Sequence, residues 1–112
     1  FTETDVIVVG YTPGEGRRKD TFGALVMTDG DQYIGRVGSG FDENELRSLL
    51  DDMTPVEEQP VPETQVGMPY TPVAPFVVEV KYQEVTDSGE LRAPVFLRVR
   101  PDKPIDDVVK LT

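Results

Sequence analysis

The sequence of 112 residues contains no cysteine, no histidine and no tryptophan. Without cysteine there are no disulfide bonds and no thiolate metal sites. Without histidine the chain lacks the usual zinc ligand, the usual general base and the centre of a Ser–His–Asp triad. No pair of carboxylates stands out as catalytic among so many solvated acids. The residues are therefore typical of a binding module that lacks a nucleophile and a base, and we expect no metal site.

Long hydrophobic runs are also absent. The longest aliphatic stretch is "VIVV", Val6–Val9, whereas a membrane-spanning helix needs roughly 20 apolar residues. No signal-peptide pattern is present at the start. We therefore expect one cytoplasmic domain over residues 1–112, not bound to a membrane. Because the chain begins at Phe1 and not at methionine, we expect it to be either a processed protein or a fragment of a longer one.

Positive charge is scarce, with 11 basic residues against 21 acidic ones and a net charge of −10. The excess lies mostly in residues 41–66, where Arg47 is the only basic residue. The net charge opposes non-specific binding to nucleic acid, but the nearly balanced flanks leave room for a basic face. Acid-rich, lysine-poor compositions are typical of salt-loving organisms, because salt screens the self-repulsion. An ordinary acidic surface is the alternative.

Three segments near the start are typical of β-strands. "DVIVVGYTPGEG" is a β-branched run followed by a glycine-rich turn. "TFGALVMTDGD" is a second apolar run, and its Asp29–Gly30 pair favours a tight hairpin turn. "QYIGRVGSGF" is the third, in which we expect inward-facing side chains at Tyr33, Ile34 and Val37.

One helix follows the third strand. "DENELRSLLDDM" begins with Asp42 and Glu45 at the spacing of a capping box, and its leucines form one apolar stripe. Residues 54–75 contain six of the ten prolines and are predicted to be a loop.

Two further strands complete the prediction. "PFVVEVKYQEVT" alternates between apolar and polar residues, and "LRAPVFLRVR" is expected to place Phe96, Arg98 and Arg100 on one face. The order of three strands, a helix and two strands predicts a mainly β domain. It is the element order of the OB-fold, a five-stranded Greek-key barrel with one helix between strands 3 and 4.

The stretch "RVRPDK", residues 98–103, gathers three cations near the end of this acidic chain. Guanidinium groups bind two oxygens at once and an ammonium group supplies a point charge, so Arg98, Arg100 and Lys103 suit a polyphosphate. We expect Asp102 to orient one of these cations. The alternative is a salt-bridged edge strand that faces the acids of residues 41–66.

Two other stretches place arginines where they could reach a phosphate backbone. Arg17 and Arg18 follow a loop with Gly14 and Gly16, although the loop lacks the third glycine and the helix of a dinucleotide fingerprint. Exposed arginines on such a loop suit phosphate contacts. Arg36 stands between glycines on the third strand. The alternatives are a sharply bent hairpin turn and a surface arginine beside a bulge.

Three ordered stretches resemble one known family. "VVGYTPGEGRRKDTFGALVM", "YIGRVGSGF" and "VEVKYQEVTDSGELRAPVFLRVRPDK" resemble the C-terminal OB-fold domain of ATP-dependent DNA ligases, especially bacterial end-joining enzymes and their archaeal relatives. The similarity covers most of residues 5–109 and is weakest in the proline-rich loop. The ligase-like "GEGRR" and "GRVG" stretches favour this family over related capping-enzyme barrels.

The resemblance implies roles for the cation cluster. The family's last nucleotidyltransferase motif, Arg-x-Asp-Lys, matches Arg100, Asp102 and Lys103. In the family this motif orients the β- and γ-phosphates of ATP, so these residues are the implied catalytic set, and Arg100 and Lys103 the implied cofactor ligands. The cofactors would be ATP and Mg²⁺, bound mainly by a nucleotidyltransferase domain N-terminal to this chain. Alone, the domain is not expected to ligate.

The resemblance also implies a rotated state in which the barrel binds nicked double-stranded DNA, within a monomeric enzyme. The implied DNA contacts are Arg17, Arg18, Arg36 and Arg98. The chain departs from the family at Val85, where a tryptophan is usual, and at Arg98, where a small residue is common. The first change affects core packing, and the second adds a cation beside the motif.

Two other functions remain open on the residues alone. A stand-alone nucleic-acid-binding barrel would stack bases on aromatic side chains, for which Tyr11, Tyr33 and Phe96 are the candidates. A protein-interaction module would use the acidic residues 41–66. Its binding to a basic partner would be sensitive to salt and independent of DNA.

Overall fold

The structure, a computed structural model, describes residues 1–111. Seven strands and two helices follow the chain in this order: β1 (Thr2–Pro13), β2 (Phe22–Thr28), β3 (Tyr33–Val37), α1 (Glu43–Asp52), α2 (Glu63–Val66), β4 (Thr71–Tyr82), β5 (Glu84–Val85), β6 (Leu91–Arg92) and β7 (Val95–Val99). Short 3-10 turns form at Gly16–Arg18 and Ile105–Asp107. Among the described residues, no helix combines the length and apolar character of a membrane span.

The five main strands form one antiparallel sheet in the order β3-β2-β1-β4-β7. The sheet curls until its two edges meet, where the Phe96 N–H donates to the Ser39 carbonyl at 2.9 Å. The Ser39 hydroxyl also donates to the Pro94 carbonyl at 3.3 Å. Joining these edges produces the predicted OB-fold barrel, which is confirmed. The minor strands β5 and β6 form a separate two-stranded ribbon.

The run Val6–Val9 is continuously apolar because strand β1 is buried on both faces. Val6 and Val8 belong to the core inside the barrel, whereas Ile7 and Val9 belong to a second cluster outside it. The second cluster is covered by Val61, Val66, Tyr70 and Val108. The Tyr70 hydroxyl fixes this cover by donating to the Val61 carbonyl at 2.5 Å. A strand covered on both sides loses the alternation of a half-exposed one.

Helix α1 begins with the predicted capping box. The Asp42 carboxylate accepts from the Glu45 N–H at 2.7 Å, and the Glu45 carboxylate accepts from the Asp42 N–H at 3.0 Å. The helix buries Leu46 and Leu49, and Met53 is buried just after its end, all three in the barrel core. Fully burying such a side chain contributes roughly 1.5–3 kcal/mol. The predicted position of this helix, between the third and fourth barrel strands, is confirmed.

The predicted loop over residues 54–75 is only partly correct. It contains the single-turn helix α2, and strand β4 already begins at Thr71. Proline has no N–H to donate, but its carbonyl can still pair, and the Val56 N–H donates to the Pro72 carbonyl at 2.9 Å. A strand can contain proline at positions where no N–H has to donate a hydrogen bond. The prediction from proline content alone therefore placed the start of β4 too late.

Strand β7 differs from the predicted alternation. A bulge places Phe96 opposite Val80 but Arg98 opposite Glu79. Phe96 is therefore buried in the core, and Arg98 lies on the outer surface. The expectation that Phe96 shares a face with Arg98 is wrong, because the extra residue of a bulge reverses the side on which the following residues lie.

The predicted turn at Asp29–Gly30 joins β2 and β3 and also holds the end of the described chain. Asp29 is almost completely buried, and its carboxylate accepts from the N–H groups of Asp31, Gln32 and Leu111 at 2.9, 3.0 and 3.1 Å. Lys110 pairs with Asp31 at 2.8 Å. Burial alone would raise the pKa of Asp29, but these backbone hydrogen bonds together bring it below its ordinary value.

We expect Asp29→Asn to lower the free energy of unfolding by about 1–3 kcal/mol near neutral pH. Since the folded pKa lies below the unfolded value, the stabilisation is present above about pH 4 and is lost as pH falls through the folded pKa. Urea unfolding of both proteins between pH 7 and pH 2 checks this. A stability difference that stays constant over the acid range would contradict the role of the charge.

Candidate phosphate site and nucleic-acid interface

The end of strand β7 holds the predicted cation cluster in a fixed backbone. The Arg100 N–H donates to the Val77 carbonyl of β4 at 2.8 Å, and the Lys103 N–H donates back to the Arg100 carbonyl at 3.1 Å. This turn keeps the Arg100 and Lys103 side chains close together. Residues 98–103 line a shallow concave surface of about 320 Å³. The cations are therefore accessible to an anion of the size of a polyphosphate.

Two carboxylates lie beneath these cations. Asp5 of β1 and Glu79 of β4 face each other across the sheet, with side chains only 15% and 14% exposed. Arg100 Nη1 lies 3.0 Å from Asp5 Oδ1 and 3.7 Å from Glu79 Oε2. Lys103 Nζ lies 3.6 Å from Asp5 Oδ2, and Arg98 pairs with Glu79. Arg98 and Arg100 share the outer surface, as predicted.

The acids that pair with the cluster are not those expected from the sequence. The side chain of Asp102 is exposed and forms no ion pair within residues 1–111, so it does not orient a cation here. The acids of residues 41–66 do not pair with these cations either, in the same described range. Asp5 and Glu79 were missed because only the pairing of β1 with β4 brings them under residues 98–103.

Arg17 and Arg18 have different surroundings although they are neighbours in the 3-10 turn. The Arg18 guanidinium donates to the carbonyls of Gly23 and Gly38 at 3.0 and 2.6 Å and lies 5.9 Å from the ring centre of Phe41. Arg18 therefore ties this turn to the ends of β2 and β3. Arg17 is exposed and has no hydrogen bond or ion pair within the part of the chain that is described.

Arg36 extends from β3 beside the other arginines of this end. Its guanidinium contacts the Met68 sulfur, and together with Arg18 it lines a groove of about 310 Å³. Burial raises the pKa of Tyr33, the charge of Glu90 raises it further, and Arg36 opposes both effects. The structure thus brings Arg18 and Arg36 together, while Arg98 belongs to the separate cluster at the end of β7.

The aromatic side chains that might stack bases are not available for stacking. Tyr33 and Phe96 are 5% and 3% exposed, in the outer and inner clusters respectively. Tyr11 is half-buried, with its ring centre 6.1 Å from that of Phe22. Stacking needs an open ring face, so these residues serve the core.

The sequence of this chain matches one family model and is similar to the sequences of several known proteins. The family model described as the ATP dependent DNA ligase C terminal region matches residues 18–103. Multifunctional non-homologous end joining protein LigD of Mycolicibacterium smegmatis is 40% identical over 94% of this chain, which spans 15% of that protein. DNA ligase 2 of Haloquadratum walsbyi is 33% identical over 96% of this chain, which spans 19% of it.

The fold of this chain is also similar to solved structures. The ligase domain of M. tuberculosis LigD superposes with a TM-score of 0.84 at 33% identity, over 97% of this chain and 38% of that one. A mycobacterial DNA ligase D complexed with ATP and MES gives a TM-score of 0.78 at 30% identity, over 98% of this chain and 38% of that one. With its barrel, its Arg-x-Asp-Lys stretch and these relatives, the chain belongs to the C-terminal region family of ATP-dependent DNA ligases.

Proposed function

We propose that this chain is the OB domain of an ATP-dependent DNA ligase and that it assists adenylation of a lysine in a preceding nucleotidyltransferase domain. In that step the lysine nitrogen forms a bond to the α-phosphorus of ATP, and the bond from that phosphorus to the bridging oxygen breaks. The electron pair leaves with pyrophosphate, on which negative charge grows. Fixed cations near the leaving group stabilise this charge.

The observation that carries the proposal is the placement of Arg100 and Lys103. Both side chains project from one hydrogen-bonded turn at the end of a barrel strand, about one-third exposed, at 37% and 31%. A guanidinium and an ammonium side by side suit the oxygens of two adjacent phosphates. Asp102 completes the family motif and is exposed, and we assign it to the adenylation step. Mg²⁺ would be held by that domain, and no three acidic side chains within residues 1–111 are grouped for a metal ion.

For the nicked-DNA state we propose Arg17 and Arg36 as direct phosphate contacts. Both side chains are exposed, and Arg36 lines the groove described above together with Arg18. Arg18 uses its guanidinium for two backbone carbonyls, so its part is to hold the loop that carries Arg17. Arg98 pairs with Glu79 beside Arg100. We propose that it contacts DNA only at the edge of that cluster.

The DNA assignment is tested in the full-length protein with a nicked duplex over a range of salt concentrations. We expect Arg17→Ala and Arg36→Ala each to weaken binding and to reduce the slope of log K against log salt by about 0.9, the loss of one phosphate contact. Arg92→Ala is the matched control, because Arg92 is an exposed arginine paired with Glu84 on the β5–β6 ribbon. Slopes for Arg17→Ala and Arg36→Ala that equal that of the control would refute these contacts.

A further inference from the structure

Asp5 and Glu79 are an unusual pair in their own strands. They are direct partners in the antiparallel register of β1 and β4, and both side chains are mostly buried. Like charges opposite each other destabilise a sheet. Arg98, Arg100 and Lys103 supply the opposing charge from above. The five side chains therefore form one network with two anions and three cations.

The carboxylate oxygens of Asp5 and Glu79 lie beside the three cations, as the oxygens of a bound polyphosphate would. Asp5 divides its two oxygens between Arg100 and Lys103, at 3.0 and 3.6 Å. Glu79 likewise lies between Arg100, at 3.7 Å, and Arg98. Each cation that would bind a phosphate oxygen thus already has a carboxylate oxygen beside it. The carboxylates are mostly buried on strands, whereas the cation side chains reach the surface.

We propose that Asp5 and Glu79 are internal counter-ions that occupy Arg100 and Lys103 when no polyphosphate is bound, and so lower the affinity of this cluster for polyphosphate. The inference rests on the proposed function of Arg100 and Lys103. An incoming triphosphate must compete with carboxylates that cannot leave, because they belong to paired strands. The same repulsion favours release of pyrophosphate once it has formed.

The sign of the effect follows from charge. A phosphate on Arg100 and Lys103 lies within a few ångströms of Asp5, which repels it, and the partly exposed site screens this repulsion only in part. Removing the Asp5 charge while keeping the shape should therefore tighten polyphosphate binding by about tenfold. Glu79 is farther from Arg100 and shared with Arg98, so removing its charge should tighten binding by about threefold. If the carboxylates instead served to orient the cations, both changes would weaken binding.

The test uses the 112-residue chain and inorganic tripolyphosphate without metal, titrated calorimetrically at low salt. The variants are Asp5→Asn and Glu79→Gln, with Glu84→Gln as the matched control, because Glu84 pairs with Arg92 in an exposed ion pair outside the cluster. We expect tighter binding in the first two and a change below about twofold in the control. Unchanged or weaker binding in folded Asp5→Asn and Glu79→Gln would overturn the inference. Thermal unfolding verifies folding, and Glu79→Gln alone decides if Asp5→Asn does not fold.

Two further variants separate the inference from the function on which it rests. If Arg100→Ala and Lys103→Ala weaken tripolyphosphate binding but the carboxylate variants do not strengthen it, only the counter-ion role fails. If the unaltered chain binds tripolyphosphate measurably and Arg100→Ala and Lys103→Ala bind it as tightly, the phosphate site is elsewhere and both proposals fail. Binding that becomes measurable only in Asp5→Asn would support the counter-ion role. No binding in any variant would overturn it.

Discussion

Replacing Arg100 with alanine is expected to slow lysine adenylation in the full-length protein by about 100-fold, the usual cost of losing one donor to a developing negative charge. Sealing of a nick that already carries the adenylate should fall by much less. In the proposed reaction pyrophosphate leaves only in the first step, so only that step would need a cation at its oxygens. Single-turnover rates for the two steps, measured separately, check the prediction.

Two controls sharpen this experiment. Arg100→Lys keeps the charge but not the two-pronged guanidinium, and we expect it to recover only part of the adenylation rate. Arg92→Ala removes an exposed arginine outside the cluster and should leave both steps unchanged. Equal losses in adenylation and sealing for Arg100→Ala would contradict the assignment to pyrophosphate.

Replacing Gly40 with alanine is expected to lower the free energy of unfolding by about 3–5 kcal/mol. Gly40 has a φ of +95°, and an added Cβ would lie 2.3 Å from the Phe96 carbonyl oxygen and 2.8 Å from the Phe96 nitrogen. This is the place where the chain after β3 meets β7, beside the hydrogen bond from Phe96 to Ser39. The substitution is therefore expected to separate the two sheet edges that meet at Ser39 and Phe96, here called the barrel seam. The total free energy of unfolding of such a domain is only roughly 5–15 kcal/mol.

Gly67→Ala is the matched control for the barrel seam. Gly67 also has a positive φ, of +89°, but an added Cβ would meet nothing within 4 Å. The free energy of unfolding of Gly67→Ala should fall only by the cost of backbone strain, about 1–2 kcal/mol. Urea unfolding of both variants gives the comparison. Equal losses for Gly40→Ala and Gly67→Ala would show that close packing at the seam contributes little.

The features predicted from the sequence are those with a local cause. The capping box depends on Asp42 and Glu45, three residues apart, and it formed as predicted. The run Val6–Val9 indicated a strand because β-branched residues favour that backbone. The order of the strands around the helix then limited the possible folds to a small barrel.

The features that were missed depend on contacts between distant parts of the chain. Arg17 and Arg18 look equivalent in the sequence, yet only Arg18 reaches carbonyls at Gly23 and Gly38. The approach of Asp5 and Glu79 to Arg100 requires the register of β1 with β4 and a bulge in β7. Register and bulges are properties of a pair of strands, so neither can be located from the residues of one strand alone.

The most direct test of the proposed function is a mass measurement on the full-length protein after incubation with ATP and Mg²⁺. We predict a covalent AMP on a lysine outside residues 1–112, and little or none of it in Arg100→Ala and Lys103→Ala over the same time. A folded full-length protein that gains no AMP, or variants that gain as much AMP as the unaltered protein, would contradict the proposal that Arg100 and Lys103 bind the phosphates of ATP.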